Sequence, residues 1–366
     1  MLALAAAQAA TPAPCRPDEI CEVPLALSAA GADALLGARN ETWWVNGEVV
    51  TVVARREDGA QTCCAIQQRM HPIGRGLQAV SVRVPDIDSA IFDMMVIPGQ
   101  WSDAGRRGPR APPAPPRSPL AEVEARTTFH RIDSVRLGEQ RSFFVYVPAG
   151  LAEGQRVPVI YMPDGGWPEF NAIADAMARR GQSSPVIMVG IANREDAGPP
   201  ACPELNCDSR SQELLVDIPE ATPEQSRFDA RDLFTVEEVM PFVESRYPVL
   251  RTPQGRAVLG WSSGGSWALV MAARHPDLFG NVVAFSVGWR QAVPFASRLT
   301  RGRALFVAGR LEVARFRERT AEAASLARAA GAEVRLLTPN GGHAHLTWEL
   351  GLAEALQWMF PATPER

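Results

Sequence analysis

Beyond residue 123 the apolar residues fall into short unbroken runs. VPVIYMP (157–163), PVIMVGIA (185–192), RAVLGW (256–261), VVAFSVG (282–288), RALFVAG (303–309) and AEVRLLTP (332–339) are strand-length stretches with little polar interruption. That pattern predicts strands buried on both faces. The stretches between them are amphipathic at helical spacing: 169–180, 232–247 with Asp232 as its expected N-cap, 266–274, 317–330 and 347–360. Two further β-runs, 127–135 and 142–147, come first, and a long polar loop is expected from 193 to about 227. Strands alternating with helices predict an α/β fold with a doubly wound, mostly parallel sheet.

The first hundred residues read differently. Alternating, β-rich segments at 43–55, 62–68, 77–84 and 90–97 are separated by turn signals such as Asn46-Gly47 and Glu57-Asp58-Gly59. The longest helical stretch is 29–36. This predicts a small all-β sandwich of immunoglobulin type over residues 15–101. Between the two regions lies SDAGRRGPRAPPAPPRSPL, whose six prolines oppose helix and sheet alike and predict a semi-rigid linker over 102–122. A chain of 366 residues fits two such domains at ~100–200 residues each.

Composition narrows the chemistry. The net charge of −4 argues against a nucleic-acid protein held by a basic face. All 37 basic residues are Arg, which excludes any mechanism needing a lysine amine. A GC-rich codon bias accounts for the missing lysine as readily as function does. Residues 1–14, MLALAAAQAATPAP, carry an apolar run and a small-x-small site at Ala7-Gln8-Ala9, read as the remnant of a signal peptide or a disordered tail. Cys15 and Cys21, and Cys202 and Cys207, are spaced for short-loop disulfides; Cys63 and Cys64, adjacent on an expected strand, should face opposite ways and are poor partners for each other. Zinc is the competing reading, but paired CxxC motifs are missing. The expected location is periplasmic or secreted, with a cytoplasmic one as alternative. No membrane span is expected, no cofactor or metal is called for, and a homodimer stays open.

Gly260-Trp261-Ser262-Ser263-Gly264 is G-x-S-x-G, set between an apolar strand and a helical run. In that context the serine occupies a sharp turn with its hydroxyl exposed, and the next backbone N–H, that of Ser263, faces a developing oxyanion. The bland alternative is a Ser/Gly turn. An acid and then a histidine should follow in the chain. Glu312, just past the strand RALFVAG, is the candidate acid, with Glu318 behind it; His343, after Gly341-Gly342, is the candidate base, with His345 as alternative. A second oxyanion donor is expected from Met162-Pro163-Asp164-Gly165-Gly166-Trp167, at the N–H of Gly166 or Trp167.

Together FFVYVPAG, VPVIYMPDGGW, EEVMPFVESRYPV, AVLGWSSGGSWALVMAARHPDLFG, VAGRLE and GGHAHLTWE resemble the putative esterase family of α/β-hydrolases. That family includes enterochelin esterases, S-formylglutathione hydrolase, feruloyl esterases and mycolyltransferases. An N-terminal sandwich before the hydrolase domain (123–366) is similar in architecture to enterochelin esterases. The resemblance implies a serine esterase with Ser262, His343 and Glu312 as triad, oxyanion donors at Ser263 and near Gly166, and a small-molecule ester substrate. Trp167, Trp289, Arg194 and Arg210 are candidate substrate-binding residues suited to an aromatic or anionic acyl group, such as a siderophore ester or a hydroxycinnamate. Each arginine could equally pair with a surface carboxylate. An acyltransferase, or a non-catalytic binding protein on the same scaffold, are the other classes compatible with these motifs.

Overall fold

The computed structural model describes residues 15, 19–57, 59–97, 105–194, 208–217 and 226–362. Cys202 and Cys207, and the signal-like segment 1–14, lie outside the described residues. The chain divides into two compact units. The first ends at Pro112 and also takes in Asn340–Ala344; the second comprises Pro113–Pro339 and the residues from His345.

The first unit is mainly antiparallel β-structure. Glu41–Asn46 and Val49–Arg55 form a hairpin, Leu77–Arg83 pairs with the second of these, and Cys21–Glu22 and His71–Gly74 pair with Leu77–Arg83. A helix, Ala29–Leu36, is capped by Ser28 Oγ, which accepts from the Gly31 N–H. Its Ala32 and Leu36 bury against Val53, Leu77 and Ala79. Two short ladders complete the unit: Gln61–Cys63 with Met95–Ile97, and Ile91–Phe92 with Arg106–Arg107.

Two expectations are corrected here. The proline-rich stretch is not uniformly without structure, because Arg106–Arg107 forms a strand before the prolines begin in earnest and a helix starts at Leu120. Pro112–Pro119 has neither helix nor strand. Second, Cys63 and Cys64 are disulfide-bonded to each other, with Cα atoms 3.0 Å apart across a cis peptide. The strand ends at Cys63, so the alternation that would oppose the two side chains no longer applies. Cys15 and Cys21 form the expected short-loop disulfide.

The second unit holds an eight-stranded sheet: β1 (Thr127–Ser134), β2 (Glu139–Tyr146), β3 (Val159–Met162), β4 (Ile187–Ile191), β5 (Arg256–Trp261), β6 (Asn281–Phe285), β7 (Arg303–Val307) and β8 (Glu333–Leu337). Their order is β1-β2-β4-β3-β5-β6-β7-β8. β1 and β2 pair antiparallel at one edge and β3 to β8 are parallel. Val159 and Tyr161 point into one core and Ile160 and Met162 into the other, which is why these runs are apolar at every position. Helices Ser263–Arg274 and Ala314–Ala330 cover one face; Pro168–Arg179 and His345–Met359 cover the other.

Asp232 is not an N-cap. The helix starts four residues earlier, at Phe228, and continues through a π-turn at Phe234–Val239 into Met240–Arg246. Asp232 is buried within it and binds the His275 imidazole at 2.5 Å and Arg274 at 3.1 Å. The expected polar loop likewise contains a short helix, Ser209–Leu214. The parallel strands bring the segments after β3, β4, β5, β6 and β7 to one sheet edge, where ligands bind in open α/β folds.

Candidate active site

Ser262 follows β5 directly and caps the helix Ser263–Arg274. Its backbone sits at φ 55°, ψ −120°, a sparsely populated conformation for a residue with a side chain. The turn is held from three sides. The Ser262 N–H donates to Phe285 O (2.9 Å), and its carbonyl accepts from Gly288 N–H (3.1 Å) and Ser266 Oγ (3.3 Å). A Cβ at Gly260 would lie 2.1 Å from Gly264 O, so this position tolerates only glycine. The Ser263 N–H is in the first helical turn, where backbone donors have no intrahelical acceptor.

Glu312 emerges after β7 and is buried. Its Oε1 accepts from the Gly309 N–H (2.7 Å) and Ser286 Oγ (2.8 Å), and Ser286 Oγ also accepts from Trp348 Nε1 (2.9 Å). The helix behind it begins at Ala314 with Val313 as cap, so Glu312 precedes the helix rather than belonging to its first turn, and Glu318 lies inside it.

The loop after β3 turns through Asp164, Gly165 and Gly166, all at positive φ. The Gly166 N–H donates to Pro163 O (3.1 Å), closing a turn on itself. Of the two donors the sequence offered, Trp167, at the cap of helix Pro168–Arg179, is therefore the better placed. Trp167 stacks on the His345 imidazole with centroids 3.5 Å apart and meets Trp261 edge-on; His345 also contacts Trp348. His345, the alternative base, opens the helix His345–Met359 and is held among three indoles.

Arg210 binds Asp164 through both carboxylate oxygens (2.6 and 2.8 Å), and Asn193 donates to the same group. Arg194 is half-exposed and lies 3.5 Å from Glu139. Both candidate substrate arginines thus carry a carboxylate partner. Near them burial holds the Arg231 guanidinium down to about 10; it donates to Ile191 O and Ala192 O. Trp289 is tied down by Nε1 to Val216 O (2.6 Å), and its N–H donates to Ser266 Oγ.

His343 is buried and belongs to the segment Asn340–Ala344 of the first unit, where its N–H faces Ala65 O at 3.4 Å. Sequence reasoning passed over Ser286, Asp164 and Asn340. For the first two the signal was available: each is a polar residue within two positions of the end of an apolar strand at the loop-bearing edge. Among the described residues no group of three or more His, Cys, Asp or Glu is arranged to hold a metal ion, and no helix is long and apolar enough to cross a membrane.

The model of the family described as "Putative esterase" matches residues 134–359. The protein is similar in structure to the enterobactin esterase FES from Shigella flexneri, with TM-score 0.63 at 17% identity over 90% of this chain and 98% of that one. A ferulic acid esterase from Anaeromyces mucronatus gives TM-score 0.50 at 18% identity, over 64% of this chain and 91% of the other. A shorter match, 36% identical over 61 residues, is to the uncharacterized protein YjcH of Bacillus subtilis (strain 168), and spans a quarter of that relative's length.

Proposed function

The chain belongs to the Putative esterase family, and from that premise we propose that it is a serine esterase acting through an acyl-enzyme, with Ser262 as nucleophile, His343 as base and Glu312 as acid. The observation that carries this is the strained Ser262 backbone at the β5-to-helix turn. Strain of about 1–3 kcal/mol is retained where surrounding structure enforces it, and a nucleophile elbow is such a place. Glu312 supports the reading as a buried carboxylate already oriented by Gly309 and Ser286. His343 is two residues from His345, so the chain keeps its Cα within about 7 Å of the His345 Cα.

In this mechanism His343 takes the Ser262 proton as Oγ attacks the ester carbonyl carbon. The oxyanion is received by the N–H groups of Ser263 and Trp167. Collapse releases the alcohol, protonated by His343. Water, deprotonated by His343, then attacks the acyl-enzyme and restores Ser262. Glu312 fixes the imidazole tautomer and stabilises the imidazolium.

For substrate we propose an aromatic acyl ester, first an enterobactin-like siderophore ester and second a feruloyl or other aryl ester. The ring cluster of Trp167, Trp261, His345 and Trp348 supports the aromatic part. The carboxylate partners of Arg194 and Arg210 weigh against a free guanidinium reserved for an anion. An acyltransferase differs only in the acceptor alcohol. A periplasmic or secreted location is supported by two disulfides, Cys15–Cys21 and Cys63–Cys64, and is checked by cell fractionation.

The test is hydrolysis of p-nitrophenyl acetate by wild type and Ser262→Ala, followed by profiling on triscatecholate lactones and feruloyl sugars. Hydrolysis should vanish in the variant. Retention of the wild-type rate would sink the nucleophile assignment.

A further inference from the structure

A cavity of about 320 Å³ lies beside the antiparallel edge of the large sheet, wholly within the second unit. β1 lines it with Arg131, β2 with Glu139, Arg141 and Ser142, and the segment after β4 with Asn193 and Arg194. Two carboxylates stand at its base. Glu213, fully buried, takes the Arg141 fork at 2.5 and 2.7 Å, lies 3.6 Å from Arg231 and accepts from the Arg194 backbone N–H at 3.2 Å. Glu139 is bound by Arg141, by Arg227 at 3.1 Å and by Arg194 at 3.5 Å.

Taken one at a time, most of these arginines have a carboxylate. Taken together, they outnumber the carboxylates they share. Arg131, Arg141, Arg194, Arg227 and Arg231 stand against Glu139, Glu213 and Asp133, the last held by Gln140 Nε2 at 3.0 Å. Asp164 is already engaged by Arg210. Among the described residues the cluster therefore keeps two positive charges unmatched. Arg131 sits over the Phe129 ring and has no carboxylate partner among those residues. The Nε atoms of Arg227 and Arg231 are buried without an acceptor. Burial holds the Arg231 guanidinium down to about 10; Glu213 acts against that and the Arg141 charge adds to it. Guanidinium forks in excess around a recess are the complement of a doubly charged oxyanion. The volume sits at the small end of ligand pockets, which suits a phosphate group carrying little else. We infer that this cavity is an anion-binding site for phosphate, free or as the monoester of a small alcohol, held by Arg131 and Arg194. The Ser142 hydroxyl adds a neutral donor. The site does not depend on the triad: no atom of Ser262, His343 or Glu312 lines it.

The experiment is calorimetric titration of the full chain with inorganic phosphate, in a buffer free of phosphate and sulfate, and then with glycerol 3-phosphate. Saturable binding is expected. Arg131→Gln and Arg194→Gln should each weaken it about tenfold or more, the usual effect of losing a charge-assisted hydrogen bond. Both side chains are exposed, so the variants should fold; if one does not, the other carries the comparison. Without phosphate each should melt at or slightly above the wild-type temperature, since each removes repulsion. Arg328→Gln, on the helix Ala314–Ala330 and away from the cavity lining, should bind as wild type. Tighter binding of glycerol 3-phosphate identifies the monoester as the form received; equal or weaker binding identifies the free ion, and either result supports the site. No saturable heat from either probe up to about 10 mM would overturn the inference. So would wild-type affinity in the two cavity variants, or an equal loss in Arg328→Gln.

Discussion

Ser286 Oγ lies 2.8 Å from Glu312 Oε1 and donates to it, while its own backbone is held at φ 51°. The same hydroxyl accepts from Trp348 Nε1 (2.9 Å), so one serine joins the carboxylate to the helix His345–Met359. If Glu312 orients the base, Ser286 sets how firmly it can. Ser286→Ala should lower kcat by about tenfold and stability by about 1–3 kcal/mol, the usual effect of leaving a buried group short of a hydrogen bond. Glu312→Gln should cost more, about 10²-fold or beyond in kcat, through the wrong imidazole tautomer. Steady-state kinetics and denaturant melts check both.

Ser262 offers a separation of stability from activity. Glycine adopts φ 55° without strain. Ser262→Gly should therefore be inactive yet more stable than wild type by about 1 kcal/mol. A calorimetric midpoint equal to or below wild type would show that the turn is not strained in solution.

Asp93, in the first unit, is buried, and desolvation pushes its carboxyl up to about 7. The folded state then holds a proton that the unfolded chain releases near pH 4. Stability is highest below that pH and falls as pH rises from about 4 to about 7, by a few kcal/mol as an order of magnitude. Asp93→Asn should flatten this slope and stabilise the protein at pH 8. Urea midpoints measured across that range decide it; a wild-type curve flat between pH 4 and 8 would contradict the burial argument.

Arg210 and Asp164 face each other as a fork on a carboxylate beneath the Gly165-Gly166 turn. Removing the guanidinium leaves Asp164 largely buried and without its ion-pair partner. Arg210→Ala should reduce kcat on neutral and anionic esters alike and lower the melting temperature. A loss confined to anionic esters would instead make Arg210 a substrate anchor.

Much of this was readable in advance. The strands of the large sheet announced themselves because both faces are buried, and apolar runs bounded by Gly and Pro report that condition directly. The Ser262 turn was equally plain, since its glycines answer to local backbone crowding. Other features depend on partners distant in sequence. Asp232 looks like a cap in isolation, but His275 and Arg274 draw it into the middle of a helix. Arg106–Arg107 is a strand only because Ile91–Phe92 pairs with it. Nothing near Asn340 reveals that its amide will find residues 85–89, some 250 positions earlier. Gly166 illustrates a finer limit: the motif marks the loop proposed to supply a donor, but which N–H is spent on Pro163 is a matter of one turn's closure.

The discontinuity of the first unit has a consequence for biosynthesis. A ribosome releases residues 15–112 long before Asn340–Ala344 are made, so the Ile91 edge must wait, unpaired, for roughly the last tenth of the chain. The first unit, though encoded first, is completed only after most of the second has been made. Its completion coincides with delivery of the five residues that include His343, and a nascent chain stalled before residue 340 therefore holds Ser262 and Glu312 without the third member of the proposed triad.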